Sequence, residues 1–162
     1  IEEINANIEA IRGELELKRR YKAEWESFFS TLRLNVSRDK TLSNEFEKIN
    51  KMVDETKLRA KNAFAKKRRR LGLLRQSWKL GAYNSRPEYQ RQIDNAILEY
   101  AKAGIDLAKA QEDLWIFWHR VAVKSPASNP PPHMLEELAR RRHNSTGHKN
   151  SLQMLITKLS TK

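Results

Sequence analysis

The densest chemistry in this chain is carried by bases. Lys66, Lys67, Arg68, Arg69 and Arg70 stand in an unbroken run within FAKKRRRLGLLRQSW (64–78), with Arg75 and Lys79 close behind. Arg140, Arg141 and Arg142 form a second cluster, followed by HNSTGHKN. Guanidinium and ammonium groups at this density are what phosphate contact requires: they neutralise a polyanion backbone and read little of its sequence. The same run has the composition of a nuclear-import signal, but import receptors take extended segments, and Phe64, Leu71, Leu74 and Trp78 place this one inside a helical seam.

Other site chemistry is weaker. His133, His143 and His148 are spaced ten and five apart, which does not put them on one helix face, and the chain has no cysteine to join them. That absence also excludes thiolate zinc sites, cysteine nucleophiles and disulfide frameworks. Glu112–Asp113 and Glu136–Glu137 are neighbouring carboxylates, and adjacent helical positions diverge, so neither is an acid/base dyad. No G-x-S-x-G turn, glycine-rich phosphate loop or H-E-x-x-H motif occurs. These readings point away from an enzyme and imply neither a cofactor nor a small-molecule substrate.

A net charge of +12 and a pI near 10.1 favour polyanionic partners: nucleic acid, an anionic membrane or an acidic protein surface. Cysteine-free composition fits an intracellular protein, with the compartment open. Four of the five prolines fall within residues 126–132, so the rest of the chain has few helix breakers.

The elements that must position the bases follow from apolar spacing. Ile1, Ile4, Ile8, Ile11 and Leu15 alternate three and four, and the phase resumes at Trp25, Phe29 and Leu32, which predicts a helix over 1–34. NVSRDKTLSNE (35–45) reads as a connection in which Thr41 and Ser43 are good N-caps. A second seam, Phe46, Ile49, Val53, Thr56, Ala60, Phe64, Lys67, Leu71, Leu74 and Trp78, predicts a helix over 44–80. Gly81 suits the position after a helix end, and Ser85 with Glu88 forms a capping box for the next helix. The third helix, 87–123, has the cleanest seam: Ile93, Ile97, Tyr100, Gly104, Leu107, Gln111, Leu114, Trp118 and Val121. Its Gly104 and Ala108 allow a close helix crossing. KSPASNPPP then reads as a linker, followed by two short helices over 132–142 and 151–159.

The expectation is therefore an all-α fold: an elongated three-helix, up-down-up, antiparallel coiled-coil-like bundle (1–124), a Pro-rich linker (125–132) and a basic helical C-terminal arm (133–162). The layout is similar to spectrin-type three-helix repeats and, more loosely, to other coiled-coil hairpin modules, a similarity of topology. The implied register gathers Trp25, Phe28, Phe29, Ile49, Met52, Val53, Leu114, Trp115 and Trp118 into one aromatic core. It also sets the basic run opposite residues 7–11. Residues 1–17 carry a net −4 and residues 57–79 a net +10. With the third helix at −1 over 87–109, about five positive charges stay unmatched after Glu2, Glu3 and Glu9 have answered the bases.

That remainder leads to a non-enzymatic binding or scaffold module. It would hold nucleic acid, RNA or a ribonucleoprotein ahead of duplex DNA, through Lys66, Lys67, Arg68, Arg69, Arg70, Arg75, Lys79, Arg140, Arg141 and Arg142. The competing readings are a solvated, partly compensated helix face, a protein–protein coiled-coil adaptor with an acidic partner, and a bundle apposed to anionic membrane. Long apolar seams also pair between chains, so a homodimer with a swapped hairpin stays open.

Overall fold

The computed structural model describes residues 1–81, 86–124 and 132–161. They form four helices: α1 (Glu2–Arg38), α2 (Lys40–Lys79), α3 (Arg86–Lys124) and α4 (Pro132–Ser160), with no strand among the described residues. No described helix is long and apolar enough to cross a membrane. The Ser85 capping box and most of the 125–132 linker lie outside the described residues.

The first connection is shorter than its sequence suggests. Asn35, Val36 and Ser37 continue α1, and Asp39 alone separates it from α2. Its extended backbone (φ −106°, ψ 113°) lets the side chain accept hydrogen bonds from the Thr41 and Leu42 amides at 3.0 and 3.2 Å. Asp39, rather than Thr41 or Ser43, is the N-cap, because its carboxylate satisfies two of the free amides of the new helix. At the far end of α2, Gly81 takes φ 74°, the left-handed conformation that closes a helix, and donates to the Trp78 carbonyl.

α2 and α3 run antiparallel in the register a short second connection implies: Phe46 meets Phe117 and Trp118, Phe64 meets Tyr100, and Trp78 stacks on Tyr89. The C-terminal region differs from expectation. The two short helices are one 29-residue helix, α4, which packs along α3 in the most extensive helix contact of the fold. Its polar middle, HNSTGHKN, is held in place by α3: Thr146 donates to Glu112 Oε2, and Lys149 Nζ lies 3.2 Å from the same oxygen. Further along, a side chain at Gly104 would put its Cβ 3.0 Å from a Leu152 methyl, so glycine permits the close approach there. Tertiary contact carries the helix through a segment whose own propensity would end it.

α1 departs most from the expected arrangement. Instead of lying along α2, it crosses the end of α3 and the start of α4. Its second half supplies Leu32 and Val36 to a core with Phe117, Trp118, Val121, Ala122 and Leu138, ringed by Trp25, Phe28, Phe29, Phe46, Ile49, Leu114 and Trp115. The expected aromatic core therefore forms, without Met52, which is half exposed, and without Val53. Residues 1–24 are exposed throughout. The cause is visible at the crossing, where Phe29 packs on Trp118 (4.8 Å between centroids) and Trp25 reaches over to α4.

Candidate polyanion interface

Packing of α2 on α3 divides the basic run. Lys67 turns inward, its ammonium 4.1 Å from the Tyr100 ring centre and 5.0 Å from that of Phe64. This satisfies a base in an apolar seam through cation–π contact while its stem covers apolar neighbours. Arg70 is partly buried, 3.7 Å from Glu99 and 3.3 Å from the Gln92 side-chain oxygen, and Lys66 lies 3.8 Å from Glu99. Arg68 and Arg69 are exposed and form no ion pair with a described residue, and the same holds for Arg75 and Lys79.

The compensating carboxylate is thus Glu99 on α3. Glu2, Glu3 and Glu9, expected to face the run, make no ion pair among the described residues, and residues 1–24 of α1 are exposed rather than packed on the run.

With α2 a single straight element, the unpaired bases resolve into a stripe. Lys57, Lys61, Arg68, Arg75 and Lys79 follow one another at steps of four, seven, seven and four, which places them on one helix face. All five are exposed. At 1.5 Å per residue the stripe is about 33 Å long. Lys57 and Lys61 add to the site read from the sequence. Their signal was the four- and seven-residue spacing, which a contiguous run of bases obscures.

The C-terminal cluster has a different character. The Arg141 guanidinium is sandwiched between Trp25 (4.5 Å) and Trp115 (5.0 Å) and donates to Glu137 at 3.0 Å. Arg140 also donates to Glu137, and Tyr21 of α1 does so at 3.0 Å. Glu137 is 6% exposed. Burial pushes its pKa up, but the hydrogen bonds from Arg141, Arg140 and Tyr21 outweigh burial and hold the carboxyl below its ordinary value. Burial, and then the Glu137 contact, raise the Tyr21 hydroxyl. Glu112 is lowered chiefly by the Thr146 hydrogen bond, against its own burial. Arg141 and Glu137 are therefore a clasp joining α1, α3 and α4. Arg142 alone of the three arginines is exposed without an ion pair to a described residue.

Among the described residues no group of three His, Cys, Asp or Glu is arranged to hold a metal, and His133 pairs with Glu24 at 3.1 Å. A cleft of about 220 Å³ between α2 and α3, on the side of α2 away from the stripe, is lined by Lys66, Lys67, Arg70 and Glu99, three positive groups against one negative. No family model, curated protein or solved structure matches this chain.

Proposed function

We propose that this chain is a non-enzymatic helical binding module that holds a nucleic acid along the outer face of α2. The observation that carries this is the stripe of Lys57, Lys61, Arg68, Arg75 and Lys79: five exposed bases on one face, without a carboxylate partner among the described residues. Arg69 on α2 and Arg142 on α4 are further exposed bases without an ion pair to a described residue. Lys66, Lys67, Arg70 and Arg141 are engaged by Glu99, Tyr100 and the tryptophans and contribute less.

The mode is phosphate contact with little base reading. RNA or a ribonucleoprotein surface comes ahead of duplex DNA, since contact through backbone and shape is how RNA helices are recognised. Stacking on single-stranded bases is not part of the reading, because Trp78 already stacks on Tyr89. The proposed assembled form keeps the up-down-up packing of a first helix against α2 and α3, with 125–132 as a linker.

A titration against RNA, duplex DNA, anionic vesicles and neutral vesicles over a salt series tests this. Five phosphate contacts give a slope of about −4 in log affinity against log salt. Replacing Lys61, Arg68 and Arg75 with Gln weakens binding across all sequences and reduces that slope by about two units. Salt-independent affinity, or affinity indifferent to the triple replacement, sinks the proposal. Tight binding to anionic vesicles with none to nucleic acid transfers the stripe to a membrane surface.

A further inference from the structure

The first half of α1 is an amphipathic helix whose apolar face meets no partner among the described residues. Ile1, Ile4, Ile8, Ile11 and Leu15 are 96, 62, 42, 56 and 49% exposed, although their three-four spacing is that of a packing seam. The matching surface exists on α2. Read backwards, Trp78, Leu74, Leu71, Lys67 and Phe64 step by four, three, four and three. An antiparallel helix therefore pairs Ile1 with Trp78, Ile4 with Leu74, Ile8 with Leu71, Ile11 with Lys67 and Leu15 with Phe64, a register that alternates by one residue between layers and does not drift over five of them. Phe64 is 47% exposed and Lys67, Leu71 and Trp78 are half-buried, whereas Leu74, at 7%, is already covered in the single chain, so the open part of this surface is Phe64, Leu71 and Trp78. Beside them on α3, Ile93, Tyr100, Leu107 and Leu114 share one face at seven-residue intervals, each partly exposed. Together they form an apolar groove, capped at one end by the second half of α1.

Charge favours the same match. Residues 1–17 carry a net −4 and residues 57–79 a net +10. Arg12 is the single base on the docking half, and Glu9 and Glu16 stand three and four residues from it on its own helix.

The chain's own α1 is poorly placed to fill this groove. It is one unbroken helix over Glu2–Arg38, pinned across the end of α3 and α4 by Phe29 on Trp118, by Arg141 between Trp25 and Trp115, and by Tyr21 on Glu137. Turning the first half back along α2 would break the helix or these contacts. A second molecule meets no such constraint, and twofold symmetry makes the exchange reciprocal.

We propose that the first half of α1 docks, antiparallel, in the α2–α3 groove of a second copy of this chain, forming a dimer with exchanged N-terminal helices. The contact is independent of the polyanion reading. It brings acidic side chains near Lys61, Arg68 and Arg75, so a bound polyanion and the second copy compete for the same bases.

The absence of cysteine gives a direct test. An Ile8→Cys chain mixed with a Leu71→Cys chain under mild oxidation should yield a dimer containing one of each. The proposal is overturned if Ile8→Cys pairs chiefly with itself, which would mean that α1 pairs with α1. It is equally overturned if a chain carrying both changes closes only within itself. Sedimentation equilibrium should show a dimer that Ile8→Lys with Ile11→Lys weakens by about tenfold or more. Both positions are exposed in the single chain, so the dilute variant should melt like the parent, and lost association then reports the interface. A monomer at every concentration, or a dimer indifferent to these changes, refutes the exchange. Polyanion affinity of the Ile8→Lys, Ile11→Lys variant, measured separately, should persist, so failure of either proposal leaves the other standing.

Discussion

Glu137 is the residue on which the crossing of α1 over the body depends. Its carboxylate is buried, accepts from Tyr21 of α1 and from Arg140 and Arg141 of α4, and through Arg141 is tied to Trp115 of α3. Because its folded pKa lies below the ordinary value, the stability it contributes is present above about pH 4.3, the unfolded glutamate value, and is lost as pH falls through the folded one. Glu137→Gln should therefore cost about 1–3 kcal/mol at pH 7, and the variant should lose less stability than the parent between pH 5 and pH 3, read by urea unfolding at each pH. Equal acid sensitivity of parent and variant would remove Glu137 from this role. From the sequence, Glu136–Glu137 was legible only as a pair too divergent for acid/base work. A buried clasp depends on Tyr21, 116 residues away in the chain, and no local pattern reports that.

At the scale of the helices, the corner at Asp39 and the continuity of α4 set the shape. Asp39 both ends α1 and caps α2, so Asp39→Ala should destabilise the fold by about 1 kcal/mol, while Asp39→Ser keeps most of the stability, as denaturant midpoints would show. A larger loss would mean that the residue also sets the angle between the two helices. The seams of α2 and α3 were readable because each has one largely apolar stripe at helical period, running from Phe46 to Trp78 and from Ile93 to Val121. The corner was not: 35–45 is polar and carries several cap-competent residues, and which one caps is decided by where α1 comes to rest. α4 was misread as two short helices for a related reason. Thr146, Lys149 and Leu152 gain their partners Glu112 and Gly104 only after α3 is in place.

For the molecule as a whole, the body consists of α2, α3, α4 and the second half of α1, and the first half of α1 is an appendage. Deleting residues 1–17 should shift the melting temperature of the dilute protein by under about 2 °C, because those side chains are exposed throughout. The same deletion should abolish any rise in melting temperature with protein concentration. A substantial drop in the dilute protein would show that the appendage packs on its own body.

By itself the sequence determined that this chain is helical, where its three long seams run, that Trp25, Phe28, Phe29, Trp115 and Trp118 gather at one end, and that its charge is strongly positive. These follow from periodicity, the clustering of prolines and composition, all local or additive properties. The tertiary structure decided which bases stay in water. The run KKRRR is contiguous in sequence, but a helix turns each residue about 100° from the last, so packing of α2 on α3 gives Lys67 to Tyr100 and Lys66 and Arg70 to Glu99. Arg68 remains outward, joined by Lys57, Lys61, Arg75 and Lys79 from neighbouring turns. It decided too that the acidic start of α1 does not answer those bases within one chain, because the pinned crossing at Trp25, Phe29 and Tyr21 carries it elsewhere.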